Sequence, residues 1–254
     1  MTPLQSNMLN VLKDYISFCN EHNLTYWISS GTLLGAIRHG GFIPWDDDID
    51  VAMPINDYNT FLALRHELHP KYVVQCRDND PNYPFIFAKL CDTSLPLSSK
   101  YKKSPLGTHI DIFPLYPTKK LSLTTTIAFY VFHECEYVIR EKVGWRPYIP
   151  NGLVARMAYR CLKILSVKLL KSIQNYAIHV ISHPDGAMLC SIGGAYHAKQ
   201  EFTPKYWFDK TETVSFEGVS CAACWCWNEW LTWYYGDYLK LPPENERHSH
   251  HSDE

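Results

Sequence analysis

The chain has 254 residues, a length that allows one large domain or a catalytic core with a smaller appendage. Its hydrophobic fraction of 46% and charged fraction of 20% are ordinary for a globular protein and argue against disorder except at the ends. The formal net charge of -2 gives no general attraction to nucleic acid, so we expect none as a partner.

The first predicted element is an amphipathic N-terminal helix. Thr2, Pro3 and Gln5 follow the pattern of an N-cap, a first-turn proline and a capping-box partner. Apolar residues then recur at helical spacing at Leu9, Leu12, Ile16 and Cys19. This stretch lacks the basic start and the continuous apolar block of a signal peptide.

Short strands and helices then alternate over the first half of the chain. The segments "LTYWISSG" (residues 24–31), "DDIDVAM" (47–53), "KYVVQCR" (71–77), "YPFIFAKLCD" (83–92) and "GTHIDIFPLYP" (107–117) predict strands. The segments "TLLGAIRHGG" (32–41) and "NDYNTFLALRHELH" (56–69) predict helices. In the last strand Ile110 and Ile112 face one side, and His109 and Asp111 face the other. The pattern predicts an α+β core with a mixed sheet over residues 1–118.

The second half of the chain is predicted to be helical over residues 119–185, with a break at "WRPYIPNG" (145–152). Residues 186–254 return to short strands, an aromatic helix and a polar tail that complete the same domain. We interpret "LVARMAYRCLKILSVKLLKSI" (153–173) as one helix with a basic arc opposite an apolar one. The basic arc contains Arg156, Arg160, Lys163, Lys168 and Lys171, and the apolar arc contains Leu162, Leu165, Leu169 and Ile173. Two interpretations stay open for this helix. Its basic residues are either solvated on the protein surface, or they form a face that meets anionic lipid or a lipid-linked anionic glycan.

The expected location is the cytoplasm. No segment reaches the roughly 18 unbroken apolar residues that a membrane span needs. The nine cysteines are an odd number scattered along the chain, which is typical of reduced thiols rather than of a disulfide framework. Peripheral contact with the cytoplasmic face of the inner membrane is a further expectation, and it depends on the basic helix.

The acidic stretch "FIPWDDDIDVAM" (42–53) is the first candidate site. If it is a strand, Asp48 and Asp50 share a face with Cα atoms roughly 6.5 Å apart, and their oxygens can converge on Mg²⁺, with Mn²⁺ as an alternative. Asp111, between apolar residues on another predicted strand, is the natural third ligand. Asp46 and Asp47 are then supporting or capping residues. Mg²⁺ leaves room for phosphate oxygens, so such a site suits a nucleotide pyrophosphate.

Two other ion-binding or phosphate-binding motifs fit poorly. Asp46, Asp48, Asp50 and Asp57 mimic positions of a calcium-binding EF-hand loop, but Val51 stands where that loop needs glycine and the bidentate glutamate is absent. The glycine-containing stretch "GAIRHGG" (35–41) lacks the Lys-Ser/Thr pair of a P-loop.

A glycine-threonine step that opens a helix, an Asp-x-Asp strand and a third aspartate are typical of the nucleotidyltransferase fold. More closely, the stretches "SSGTLLGAIRHGGFIPWDDDIDVAM", "FAKLCDT", "HIDIFPL", "FEG" and "YYGDYLKLPP" resemble the LicD family of phosphocholine and phospho-alditol transferases, to which fukutin-related proteins are also similar. The resemblance runs in order from residue 26 to residue 243 and is loose only in the helical middle.

This resemblance implies a Mg²⁺-dependent phosphotransferase for substituted phosphate groups, acting on a CDP-linked donor. A sugar hydroxyl of a cell-surface glycan, such as lipopolysaccharide, capsule or teichoic acid, would attack the donor and release CMP. Asp48 and Asp50 would hold Mg²⁺, and Asp111 would complete the site and is a candidate to take the acceptor proton.

The same resemblance implies a site for the donor's phosphates. Ser30, Gly31 and Thr32 would present a hydroxyl and backbone N–H groups at a helix start. Arg38 and Lys89 are the cations we assign to the pyrophosphate.

Aromatic residues offer surfaces for a quaternary ammonium group. Trp45 abuts the aspartates and is the candidate wall of a choline site. Trp227, Trp230 and Tyr234 could share a helical face, where we favour an aromatic core over a ligand site.

The cysteines of "CAACWC", Cys221, Cys224 and Cys226, have no second CxxC or HxxxH block, so we favour small apolar packing over a zinc site. The tail "RHSHHSDE" (247–254) is interpreted as solvated.

Two other function classes stay open. One is a nucleotidyltransferase that releases pyrophosphate, and the other is a non-catalytic module that binds metal or polyanions. The sequence does not distinguish choline from ribitol or glycerol as the transferred group, and it leaves the acceptor glycan and the oligomeric state open.

Overall fold

The computed structural model describes residues 1–97, 100–147 and 152–247. The helices are α1 Pro3–Glu21, α2 Ser30–His39, α3 Ile55–Leu64, α4 Leu123–Val143, α5 Leu153–Leu162, α6 Val167–Ile181, α7 Ala198–Glu201 and α8 Trp227–Tyr235. The strands are β1 Trp27–Ile28, β2 Asp50–Pro54, β3 Tyr72–Gln75, β4 Ala88–Asp92, β5 Thr108–Thr118, β6 Met188–Ser191, β7 Phe202–Pro204, β8 Thr211–Phe216 and β9 Val219–Cys224.

A mixed sheet of seven strands forms the centre of the fold. Its main path runs β1-β2-β5-β4-β3, and β6 pairs with the second half of β5 and with β7. The β2–β5 pair is parallel, whereas β4–β5, β3–β4, β1–β2, β5–β6 and β6–β7 are antiparallel. Strands β8 and β9 form a separate hairpin. The predicted α+β class with a nucleotidyltransferase-like mixed sheet, flanking helices and C-terminal strands is therefore confirmed.

Strand β5 separates the core from the site. Ile110 and Ile112 are fully buried in the same apolar cluster as Leu12 of α1 and Phe61 of α3. Each such side chain contributes roughly 1.5–3 kcal/mol when it is removed from water. Because side chains alternate along a strand, this burial turns Asp111 toward the opposite face.

The capping box predicted at the start of α1 is confirmed and has a second role. The Gln5 N–H donates to Thr2 Oγ1 at 3.1 Å, and the Thr2 N–H donates to Gln5 Oε1 at 2.8 Å. The remaining Gln5 Nε2 donates to the carbonyl oxygen of Asp46 at 2.9 Å. One buried side chain thus caps a helix and holds the acidic loop.

The prediction of one continuous basic helix over residues 153–173 is wrong. Helix α5 ends at Leu162 and α6 begins at Val167, because Ser166 caps α6 by accepting from the Leu169 N–H at 3.2 Å. The predicted basic arc is divided accordingly. Lys163 pairs with Glu141 of α4 at 2.7 Å, and Lys171 donates to the Tyr83 carbonyl at 3.0 Å.

The apolar side of this region is divided in the same way. Leu162, Leu165 and Ile173 pack against the cluster between α4, α5 and α6, whereas Leu169 is 47% exposed. The expected membrane contact therefore loses the single arc on which it was based, and it stays a prediction.

Several predicted strands are shorter than expected, and the one predicted over residues 24–31 is reduced to Trp27–Ile28. Strand β2 begins at Asp50, because its parallel pairing with β5 begins at that residue. Asp48 therefore precedes the strand and does not share its face with Asp50. Strand β4 begins at Ala88 rather than near Tyr83. A carbonyl group just before β4 accepts a hydrogen bond from a side chain instead of from a neighbouring strand: Arg77 Nε donates to the Phe85 carbonyl oxygen at 2.7 Å.

Helices α4, α5 and α6 lie in the chain between β5 and β6. The division into residues 1–118, 119–185 and 186–254 stays a prediction. None of the helices in the described ranges is both long enough and apolar enough to span a bilayer. Residues 248–254 of the His-containing tail and residues 148–151 of the predicted break lie outside the described residues.

Candidate active site

A row of polar residues crosses the sheet on the face opposite the core. Asp50 of β2 is level with Asp111 of β5, Asp111 with Lys89 of β4, and Lys89 with Gln75 of β3. Adjacent strands lie about 4.8 Å apart, so this register alone makes Asp50 and Asp111 neighbours. The sheet therefore holds two of the predicted metal ligands side by side.

Lys89 binds Asp111 closely from the next strand. Its Nζ atom lies 2.7 Å from each carboxylate oxygen of Asp111 and 3.2 Å from His109 Nε2. The two side chains are only 8% and 14% exposed. Because both Asp111 oxygens accept from one ammonium group, the arrangement suits an oriented metal ligand better than a proton acceptor.

The backbone of Asp50 forms hydrogen bonds with residues at the start of α2. Its N–H donates to Thr32 Oγ1 at 2.9 Å, and its carbonyl accepts from the Ser29 N–H at 3.0 Å. Burial, followed by the neighbouring Asp48 and Asp111 carboxylates, raises the pKa of Asp50 well above its usual value. The negative charge of Asp50 is therefore disfavoured in the absence of a positive partner, and a cation bound nearby would stabilise it.

The donor set fits a hard divalent cation. Asp46, Asp48, Asp50 and Asp111 line the same cavity and offer only oxygen atoms. Within residues 1–97, 100–147 and 152–247, no three His, Cys, Asp or Glu side chains already converge as a metal-ligand set. Mg²⁺ is commonly held by one or two carboxylates together with substrate phosphates, so this partial set is compatible with it.

The start of α2 lies against the acidic loop. Ser30 has φ +48°, a left-handed conformation that is unusual outside glycine and recurs at functional sites. A Cβ atom on Gly31 would lie 2.6 Å from Asp46 Oδ2, so glycine allows this close approach. Ser30 and Gly31 line the cavity, whereas the buried Thr32 supports Asp50 from behind.

The hairpin β8–β9 fixes the other end of the acidic loop. Glu217 accepts from the Phe42 N–H at 3.0 Å, and its own N–H donates to the Gly40 carbonyl at 2.9 Å. Glu217 and Gly218 both have positive φ, as a two-residue hairpin turn of type I′ requires. The loop that carries the aspartates is therefore anchored by a segment that follows it by about 170 residues in sequence.

We expect Glu217→Ala to destabilise the acidic loop and to lower activity at least about tenfold, because a hydrogen bond to a charged group is worth roughly 1.5–3 kcal/mol. Glu217→Gln keeps an acceptor oxygen and should restore most of the activity. Glu212→Ala removes a carboxylate from the same hairpin and serves as the control, because its hydrogen bond from the Trp227 indole, at 3.0 Å, is exposed to solvent. Equal activity of Glu217→Ala and the control would contradict this anchoring role.

A cavity of about 620 Å³ opens above the row. One group of lining residues is aromatic and comes from the N-terminal and C-terminal parts of the chain, namely Trp27, Trp45, Tyr196, Phe208, Trp230, Tyr234 and Tyr235. A second group, here called the α4 wall, combines Phe85, Phe87 and Phe113 with His133, Glu136, Tyr137 and Arg140 of α4. The loop after β6 contributes Gly193 and Gly194.

The predicted site residues fall into three groups. Those that line the cavity are Ser30, Gly31, Trp45, Asp48, Asp50 and Asp111. Thr32 and Lys89 do not line it but support the row through the hydrogen bonds described above. Arg38 lies in the last turn of α2 and donates to the Tyr238 carbonyl at 2.9 Å, so the structure does not bring it to the cavity wall.

The aromatic and cysteine residues of the C-terminal part pack in the core. Trp230 and Tyr234 are stacked with ring centres 4.1 Å apart and also line the cavity. Trp227 lies outside the cavity, at the hairpin. The thiols of Cys221, Cys224 and Cys226 are buried in the main apolar cluster, as small apolar side chains would be.

The face of α4 that reaches the cavity is absent from the predicted site. His133, Glu136, Tyr137 and Arg140 have the spacing of one helical face, and this periodicity was the available signal. Burial raises the pKa of Glu136 to about 7 and lowers the pKa of His133 to about 4. A carboxyl group that titrates near neutrality in a cavity is a common property of functional sites.

A nucleotidyltransferase-like domain is defined by three features: the mixed sheet, the start of α2 at Ser30 and Gly31, and the aspartates Asp48, Asp50 and Asp111, which we call the acidic row. In agreement, the family described as LicD/FKTN/FKRP, nucleotidyltransferase domain, matches residues 23–143. The lipopolysaccharide cholinephosphotransferase LicD of Haemophilus influenzae is 31% identical over 260 residues, covering 97% of this chain and 94% of that protein. The chain belongs to the LicD family.

Two further relatives match shorter parts. The human ribitol 5-phosphate transferase FKRP is 34% identical over 92 residues, which are 36% of this chain and 17% of that protein. An uncharacterized protein of Rickettsia typhi is 30% identical over 153 residues, or 56% of this chain and 47% of that protein. The family therefore includes proteins named for the transfer of different phosphate-linked groups.

Proposed function

We propose that this protein transfers a phosphate-linked small group, with phosphocholine as the leading candidate, from a CDP-linked donor to a sugar hydroxyl of a cell-surface glycan. The reaction releases CMP and depends on Mg²⁺ or Mn²⁺. The proposed location is the cytoplasm, where a nucleotide-linked donor is available.

One combined observation carries this proposal. Asp48, Asp50 and Asp111 line one cavity in a chain that is similar over nearly its full length to a cholinephosphotransferase. Cavity size also supports it, since small-molecule sites commonly occupy roughly 300–1,000 Å³. The shorter similarity to a ribitol 5-phosphate transferase makes an alditol phosphate the alternative transferred group.

In the proposed mechanism the donor's pyrophosphate lies above the acidic row. Asp48, Asp50 and Asp111 would hold the divalent cation, and Lys89 would keep Asp111 in a fixed orientation. The cation would screen the pyrophosphate charge and stabilise the departing CMP. The N–H groups of Ser30 and Gly31 at the start of α2 are suited to the donor phosphates.

The acceptor hydroxyl would attack the phosphorus that carries the transferred group. The new O–P bond forms as the bond to the CMP oxygen breaks, CMP leaves with the bonding electron pair, and the hydroxyl proton passes to solvent water. No covalent enzyme intermediate is required. The protein's contribution is to align the two substrates and to stabilise charge, which are the main sources of catalysis in phosphoryl transfer.

The test is calorimetric titration with CDP-choline, CDP-ribitol and CDP-glycerol, each with and without Mg²⁺. We expect one donor to bind in a metal-dependent manner and to yield CMP when a glycan acceptor is added. Release of pyrophosphate from a nucleoside triphosphate would instead support a nucleotidyltransferase. Metal binding without donor binding or turnover would support the non-catalytic module.

A further inference from the structure

Glu136 is a buried acid whose hydrogen-bonding capacity is incompletely used. It belongs to the face of α4 that lines the cavity, and it is only 5% exposed. Its Oε2 atom has no hydrogen-bond partner within the ranges that the structure describes, and the same holds for Nε2 of the neighbouring His133. Buried polar atoms are normally paired, so this position indicates a ligand that interacts with an acid.

The Phe85 and Phe87 rings, which line the same cavity as Glu136, already attract positive groups. Lys89 Nζ lies 5.2 Å from the centre of the Phe87 ring and 5.7 Å from that of Phe85. The guanidinium carbon of Arg140 lies 5.2 Å from the centre of the Phe85 ring. Such distances are those of cation–π contacts, and Phe113 extends the wall with its ring centre 4.4 Å from that of Phe87.

Glu136 and Arg140 present opposite charges on this wall. They lie four residues apart on α4, which places their Cβ atoms roughly 5–6 Å from each other. The Arg140 Nε atom donates to the Arg146 carbonyl at 3.1 Å, which holds the guanidinium at the cavity wall. A negative and a positive group about one helical turn apart complement a small zwitterion.

We propose that Glu136, with the Phe85 and Phe87 rings, binds the trimethylammonium end of a phosphocholine group, and that Arg140 binds its phosphate. This inference rests on the proposed transferase function and identifies the transferred group. An alditol phosphate carries only the negative charge, so it offers Glu136 no cationic group of its own. Trp45, the candidate from the sequence, lines the same cavity but is not part of this proposed contact.

The test compares two donors in one variant. In Glu136→Gln the side chain keeps its shape and an acceptor oxygen but loses its charge. We expect its Kd for CDP-choline, measured by calorimetry with Mg²⁺, to rise about 30-fold, since the loss of one charge from a buried charge pair costs roughly 2 kcal/mol or more. The Kd for CDP-glycerol should change less than about threefold.

Glu134→Gln is the matched control, because Glu134 lies on the same helix but does not line the cavity. It should leave both Kd values unchanged. Thermal unfolding of each variant checks that it is folded. Equal weakening of both donors by Glu136→Gln would overturn the proposal, as would normal binding with lost turnover, which would make Glu136 a proton acceptor.

Titration with free phosphocholine separates this inference from the proposed function. If no CDP donor binds but phosphocholine binds to the wild type and not to Glu136→Gln, the subsite stands and the transferase proposal fails. If the wild type binds a CDP-alditol but neither CDP-choline nor phosphocholine, the transferase proposal stands and the subsite is wrong.

Discussion

Asp50→Asn should abolish metal-dependent turnover, with a fall of at least about 1,000-fold, because it removes one of the three proposed charged metal ligands. Metal-dependent donor binding should be lost as well. The same substitution should raise the melting temperature of the metal-free protein at pH 8. Burial and the Asp48 and Asp111 carboxylates oppose the charge of Asp50, and asparagine removes that repulsion.

The informative result is that Asp50→Asn should lower activity while it raises the melting temperature of the metal-free protein. Activity and donor titration are measured with and without Mg²⁺, and melting is followed by circular dichroism. Asp47→Asn is the control, since it lies in the same acidic stretch but does not line the cavity. If Asp50→Asn retained metal-dependent activity within about tenfold of the wild type, the proposed role of the acidic row would be refuted.

Lys89→Met should destabilise the folded protein by about 3–5 kcal/mol, the usual cost of leaving one member of a buried ion pair unpaired. Both Asp111 oxygens accept from Lys89 at 2.7 Å, and the pair is largely shielded from water. Activity should fall too, because Asp111 would no longer be held in one orientation. Denaturant unfolding at pH 8 measures the change in the free energy of unfolding.

Two control variants test whether the loss of stability in Lys89→Met comes from a buried, unpaired charge. Lys103→Met breaks a solvent-exposed pair with Asp80, whose atoms lie 3.9 Å apart, and should cost less than about 1 kcal/mol. The double variant Lys89→Met with Asp111→Asn should recover much of the lost stability, because the unpaired charge is gone. Similar unfolding free energies for Lys89→Met and Lys103→Met would argue against a buried pair.

Local sequence patterns determined several features of this protein. The capping box of Thr2 and Gln5 uses neighbours in sequence, and the alternation around Asp111 follows from strand geometry. The acidic stretch and the helix start at Ser30 and Gly31 are also short-range motifs. These features depend on residues within one element, so the sequence alone was sufficient to predict them.

Contacts between segments that are distant in sequence decided the other features of the candidate site. The strand register placed Lys89 beside Asp111, and the hairpin brought Glu217 to Phe42. Packing of α4 against the sheet brought Glu136 and Arg140 to the cavity, whereas Arg38 was directed to the Tyr238 carbonyl. The sequence by itself therefore determined the class of fold and the acidic residues of the cavity, because both follow from short-range pattern. Only the tertiary structure decided that Lys89 contacts Asp111 and that the α4 residues line the same cavity, because strand register and helix packing depend on burial summed over the whole chain.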